Sequence, residues 1–430
     1  MWSLYPLTTL ILSTAFPYQQ IRKLAAWPSI VNLQLFLSGD KQSLTNYHRP
    51  PVLHKYDHIN SASDPKQAWF PYALQSASMM HSTLAMAAVM WRTEFSALSS
   101  RIRFEGIRQK GEAMREIRMR LANAHCKIDN DITNSLISTI ATLSITEIHD
   151  NNFEAADTHL RCVSNLCRLR GDVNSFKDDF ILCKSISLAD VISAVALGRP
   201  LIFPLMDATQ PNSFIEPTLE EGQHTSFGLP VNNRVQGHTG IFDHLGQILT
   251  SHHSHMVTPE AMTASLNDVD ASILKYLYQD HTDGSDDMKR SHALVHAAHV
   301  FMYATLRQVS PRSPLLRRLC KRLRENIWRD RSEKQLWTDS MTALLWAAFV
   351  GLLGTGEMTE SCSEGRWFFE LYQTTLCQLA QETFLEVLFS AYLWDESHCQ
   401  PLLTWLKGRS GFVVGHEPGL SVAPYETRIQ

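Results

Sequence analysis

What this 430-residue chain does without narrows its function classes first. Its eight cysteines, Cys126, Cys162, Cys167, Cys183, Cys320, Cys362, Cys377 and Cys399, include no C-x-x-C pair, and no N-x-S/T acceptor occurs. Buried free thiols in a reducing compartment, cytosol or nucleus, fit better than secretion. No G-x-S-x-G, P-loop or dinucleotide glycine pattern is present, so a hydrolase, nucleotidase or dehydrogenase reading has neither nucleophile nor phosphate cradle. Strand alternation and fixed-length repeats are missing, which leaves helices as the regular element to build from. The formal net charge of −4 argues against binding nucleic acid over the whole surface. The N-terminal apolar run, Leu4 to Phe16, is too short to span a bilayer and has no Lys or Arg before it, so neither a membrane partner nor a signal peptide is expected.

What is present is apolar bulk at helical spacing. Hydrophobic residues make up 44% of the chain and charged ones 19%, the balance of a folded protein with a sizeable core. The fold class this implies is all-α: an array of antiparallel helical hairpins in two halves. Residues 1–69, including the turn-rich His48 to Tyr56, read as irregular with one short helix near Ile30 to Leu37. From Leu74 to Phe95 apolar residues recur at steps of three and four. A helix over 101–121 is expected to turn Ile107, Met114, Ile117 and Leu121 inward and its arginines outward, with Arg108–Glu112 and Glu116–Arg120 as four-residue pairs. Ile132 to Ile148 is apolar on more than one side and belongs deep in the core. Asn151 and Asn152 turn the chain, and Ala156, Leu160, Val163 and Cys167 face back, with Gly171 as the stop. A helix over 178–197 stops at Gly198, and the proline- and glycine-rich stretch 198–240 reads as a long loop dividing the halves.

Helices then follow over 241–255, from Thr258 and Pro259 to Leu277, over 288–309 and over 314–330. The segments LLWAAFVG (Leu344 to Gly351), RWFFELY (Arg366 to Tyr372) and VLFSAYLW (Val387 to Trp394) read as three nearly all-apolar helices, with Asp339 as N-cap and Gly354 and Gly356 as the break. Trp346, Trp367, Phe368 and Trp394 are too large to leave in water at about 1.5 to 3 kcal/mol per buried side chain, so this block is the expected keel of the core.

Candidate chemistry is sparse. His292, His296 and His299 lie at i, i+4 and i+7, and His252, His253 and His255 sit together, but neither group has an H-E-x-x-H pattern or a cysteine partner, so packed or solvated histidines outweigh a zinc site. His81 reads as a satisfied core histidine. Asp283-Gly284 lacks the carboxylates of a calcium loop, and Asp178-Asp179 and Asp286-Asp287 lack the third aspartate of a metal–diphosphate site. The run Arg317 to Arg331, with Arg312, is the strongest basic cluster. Leu316, Leu319, Leu323 and Ile327 share its helix, so the apolar side is expected to pack while the arginines stay solvated or pair with acidic loops. No catalytic, cofactor-binding or metal-ligating residue is assigned, and no cofactor.

The three keel segments, together with FPYALQSASMMHSTLAMAA (Phe70 to Ala88), AADTHLRCVSNLCRLRG (Ala155 to Gly171) and LADVISAVALGRPLIFP (Leu188 to Pro204), resemble the fungal-specific transcription factor domain over roughly residues 70–395. That family is the regulatory region that follows the zinc-cluster DNA-binding module of fungal activators. The resemblance implies a nuclear regulatory protein that is not an enzyme. Its implied partners are protein co-regulators, a second copy in a homodimer, or a small-molecule effector. Residues 396–430 are set apart as a tail. The zinc-cluster module needs six closely spaced cysteines that this sequence does not contain, so sequence-specific DNA binding by this chain alone is not expected. Two other classes remain beside this one: an all-helical metal enzyme built on the histidine clusters, and an interaction scaffold with no role in transcription.

Overall fold

The computed structural model describes residues 69–94, 99–123, 130–171, 176, 179–204, 239–253, 259–278, 285–328, 337–356, 362–379 and 392–410. All regular structure among them is helical. In chain order the helices are α1 (Trp69–Leu74), α2 (Ala77–Glu94), α3 (Ser99–Asn123), α4 (Asn130–His149), α5 (Phe153–Leu169), α6 (Phe180–Leu197), α7 (Thr239–His253), α8 (Pro259–Tyr278), α9 (Asp286–Thr305), α10 (Pro314–Ile327), α11 (Met341–Thr355), α12 (Ser363–Leu379) and α13 (Glu396–Ser410). The expected helix near Ile30 to Leu37, the Asp283-Gly284 turn, Asp178, His255 and most of the 198–240 loop lie outside the described residues.

Buried apolar side chains fall into two clusters. The first gathers Met86 of α2, Ala113 and Ile117 of α3, Leu136 to Ile145 of α4, Leu160 to Cys167 of α5 and the first half of α6. The second is centred on α11, where Ala343 to Leu352 are buried without interruption. It takes in α7 to α10, α12, α13 and the last turns of α6. Helix α6 therefore belongs to both: Leu182, Cys183, Ile186 and Ala189 pack in the first cluster, Val191, Ala194, Val195 and Ala196 in the second. By length and composition α6 is apolar enough to cross a membrane, but most of it is buried within the protein.

Local chemistry explains where these helices start and stop. Asp179 caps α6 by accepting from the Leu182 amide at 3.0 Å. Gly198 ends it at φ 69°, a left-handed conformation that L side chains resist. A Cβ there would also lie 2.7 Å from the Tyr278 hydroxyl and 2.8 Å from the Arg322 guanidinium, so those two side-chain ends would have to move aside. Between α4 and α5, Asn151 takes φ 65° and the Asn152 side chain caps α5, the turn that the two asparagines predict.

Three expectations need correction. Asp339 falls within a 3-10 turn, Thr338–Ser340, and the residue preceding α11 is Ser340, which makes no side-chain cap. Tyr392, Leu393 and Trp394, expected to finish a keel helix, are non-helical; the Leu393 carbonyl accepts from the Trp346 indole at 3.3 Å, and the Tyr392 ring stacks on Trp346 at 5.2 Å. A buried indole N–H needs an acceptor, and a carbonyl outside a helix is free to serve. Finally, α3 does not turn Ile107 and Leu121 inward: they are 54% and 48% exposed, while Ile102, Gly106, Gln109, Ala113 and Ile117 face the interior.

Candidate functional site

The histidines of α9 do not form a ligand set. His292 packs against the Tyr276 ring at 5.4 Å, and the His299 Nε2 bonds the Asp270 carboxylate at 2.8 Å. Among the described residues no three His, Cys, Asp or Glu side chains come together to hold a metal ion. His252 is exposed at the end of α7. His81 is 4% exposed and donates from Nδ1 to the Gln109 side-chain carbonyl at 2.6 Å, and the Gln109 amide passes on to Glu105 at 2.6 Å.

What α8 and α9 do assemble is a buried ionic cluster that residue spacing does not reveal. Asp270, 0% exposed, accepts from His299, from the Tyr303 hydroxyl at 3.3 Å and from Arg307 at 2.6 Å; Arg307 also reaches Asn267 at 2.9 Å. Burial works to lower the Arg307 pKa, and the adjacent Asp270 carboxylate outweighs it, so the guanidinium stays charged with a raised pKa. Burial and the same carboxylate push the Tyr303 phenol well above its ordinary value. The carboxylate thus spends its oxygens on structural partners.

A second polar node closes α6. Asp190 is 2% exposed and accepts from the backbone amides of Ile202 and Phe203, each at 2.8 Å, with Arg199 at 3.6 Å. Burial raises its pKa to about 6 against these lowering contacts. Arg322, from α10, donates to the carbonyls of Val195 and Ala196 and so satisfies the free end of α6.

The basic run on α10 is correspondingly less free than expected. Leu315, Leu316, Leu319, Cys320, Leu323 and Ile327 are buried as predicted. Arg318, however, lies over the Phe153 ring at 4.2 Å and Arg324 over Trp367 at 5.4 Å, and Lys321 pairs with Glu325. Three of its arginines are therefore tied to the fold rather than to solvent or acidic loops. Asp286 and Asp287 sit in the first turn of α9, where they favour the helix N-terminus and pair with Lys289 and Arg290. Asp179 is the α6 cap. Burial disfavours the thiolate at three cysteines, pushing Cys183 to about 11 and Cys399 to about 12, and driving Cys320 higher still.

One surface remains unspent. Helix α3 packs on α2 along one side only, and four of the seven large hydrophobic side chains exposed among the described residues lie on it: Phe104 (71%), Ile107, Met119 and Leu121. Its expected four-residue pairs are replaced by Arg108–Glu105 and Arg115–Glu112, each three apart, while Arg120 donates to Ser135. A shallow cleft opens beside it, lined by Ala88, Val89 and Gly106 and by the Arg92–Asp150–Lys110 ion pairs. Its interior holds little more than one water molecule, far below the several hundred Å³ of a small-molecule site.

Among the described residues, the fold is an all-helical scaffold in which the buried ionic clusters described above are held by packed partners, and exposed apolar side chains gather on a basic helix. Comparison with known families supplies the class: the fungal-specific transcription factor domain matches residues 44–381. The chain belongs to that family, and its role is transcription regulation. No curated protein and no solved structure matches it.

Proposed function

We propose that this chain acts in the nucleus as a transcription-regulatory scaffold that works through protein–protein contacts. The observation that carries this reading is the exposed apolar face of α3, set on a fold whose buried carboxylates Asp190 and Asp270 are held by structural partners. Fusing the full chain to an unrelated DNA-binding domain tests it. The expected result is a several-fold change in reporter output, up or down, with the fluorescent-tagged chain concentrated in the nucleus. Unchanged output together with cytoplasmic residence overturns the reading. A gel-shift titration complements it, because tight sequence-specific DNA binding by this chain alone contradicts a role exercised only through proteins.

A further inference from the structure

Helix α3 carries six arginines and one lysine against three glutamates, in a chain whose formal net charge is −4. Its outward side combines two features that normally exclude each other on a solvated helix. Phe104, Ile107 and Leu121 fall along one line of it, about 26 Å long at 1.5 Å per residue, with Met114, partly buried against the first cluster, and Arg118 between the last two. Among the described residues, Arg101, Arg103 and Arg118 have no ion-pair or hydrogen-bond partner, whereas Arg108 and Arg115 are paired within the helix. Arg103 and Arg118 therefore lie along the apolar line, and Arg101 stands at its N-terminal end, one turn before Phe104.

We propose that this face is a docking groove for an acidic amphipathic helix of a partner protein, its apolar side chains laid along Ile107, Met114 and Leu121 and its carboxylates meeting Arg101, Arg103 and Arg118. Charge complementarity selects this occupant. A second copy presenting the same face would oppose like charges, which costs free energy instead of releasing it. A flat anionic bilayer reaches only residues that stand proud. Of the four exposed apolar side chains only Phe104 does; Ile107, Met119 and Leu121 are about half covered, and Ile107 lines the shallow cleft against Ala88 and Gly106. A half-covered apolar line that runs from a shallow cleft at Arg103 and Ile107 toward Leu121 matches the side of another helix. Nucleic acid would gain from the arginines but leave the apolar line in water. The proposal rests on the protein-contact reading above and names its surface and the chemistry of its partner.

The test uses the full chain and a fluorescein-labelled peptide of about 20 residues, with Leu and Phe at helical i, i+3, i+4, i+7 positions and Asp and Glu elsewhere. Binding is read by anisotropy. The wild-type chain is expected to bind it at least about tenfold more tightly than a scrambled peptide of identical composition, and to lose that preference in Arg101→Glu/Arg103→Glu/Arg118→Glu and, separately, in Ile107→Ser/Leu121→Ser. Arg161→Glu on α5 is expected to bind as wild type. All replaced residues are surface positions, and an unchanged thermal melt confirms that each variant is folded. Equal binding of ordered and scrambled peptides, or retained binding in both α3 variants, overturns the proposal. So does tighter binding to vesicles of equal parts phosphatidylserine and phosphatidylcholine, or to duplex DNA, or a dimer in light scattering that the α3 variants abolish. The assay contains no transcription machinery, so its failure leaves the reporter result standing, and a silent reporter leaves the peptide result standing.

Discussion

Helices α4 and α11 are both buried on nearly every side, yet they are made of different material. From Leu136 to His149, α4 buries Ser138, Thr139, Thr142, Ser144, Thr146, Glu147 and His149 among its aliphatics, whereas α11 buries a run of Ala, Leu, Trp, Phe, Val and Gly. Around α4 the hydroxyls bond across helices: Ser138 to Tyr72 and Ser185, Thr139 to Ser78, and Ser144 to Ser193 at 3.1 Å. Thr139, Thr142 and Thr146 also return to carbonyls four residues back, so no hydroxyl among these is wasted. Around α11 the fit is made by rings and by glycines. Phe368 occupies the space a Cβ on Gly351 would need, Trp346 meets both Phe242 and Tyr392, and Phe349 stacks on Trp394. Buried hydroxyls occur there too, but the largest polar group is the ionic cluster at Asp270, with Asp395 as a second carboxylate node held by Ser397 and His398. Small hydroxyls distribute the cost of burying polarity; a single carboxylate shared by three donors concentrates it.

That contrast sets the size of the expected effects. Asp270→Ala strands the buried Arg307 and is expected to cost about 3 to 5 kcal/mol in urea unfolding, far more than any single change to the hydroxyls around α4. An effect under about 1 kcal/mol would mean that the two cores handle polarity alike. At the junction, Asp190 gives a pH signature. Its folded pKa of about 6 exceeds the ordinary 3.8, so its protonated form favours the fold. The contribution is fully present below the ordinary carboxylate pKa and is lost as pH rises through about 6, a change of roughly 3 kcal/mol at 1.36 kcal/mol per unit. Melts of wild type and Asp190→Asn between these pH limits should diverge on that account, and parallel curves would contradict it. Gly198→Ala forces φ 69° and a collision with Tyr278 and Arg322 onto a side chain, with an expected loss of about 2 kcal/mol by denaturant titration. The smallest effect belongs to Ser138→Ala, about 1 kcal/mol or less, because Ser185 and Tyr72 lose one of several neighbours.

The helical class and the family were legible because they are written in residue spacing and turn chemistry. Asp179 and Gly198 bound α6, and Asn151-Asn152 turns α4 into α5, by purely local rules. The facing of α3 was not legible for a physical reason. Spacing arguments follow the largest side chains, but α2 and α3 pack through the smallest: a Cβ on Gly106 would stand 3.2 Å from the Cβ of Ala88, so the close approach excludes bulk and leaves Ile107 outside. Likewise the histidine spacing on α9 was visible while its partner was not, since Asp270 lies 29 residues earlier and meets His299 only in the folded chain. The candidate surface on α3 was in view as a row of arginines, but its exposed apolar line emerged from the packing alone.

Helix α6 threads both cores, and its last carbonyls are held by Arg322, 126 residues downstream of Ala196. Evolution therefore could not lift either half out as a cassette for reuse elsewhere. Recombination breakpoints inside this region would sever a shared beam, and a natural fusion that keeps the architecture must join its new partner at the margins.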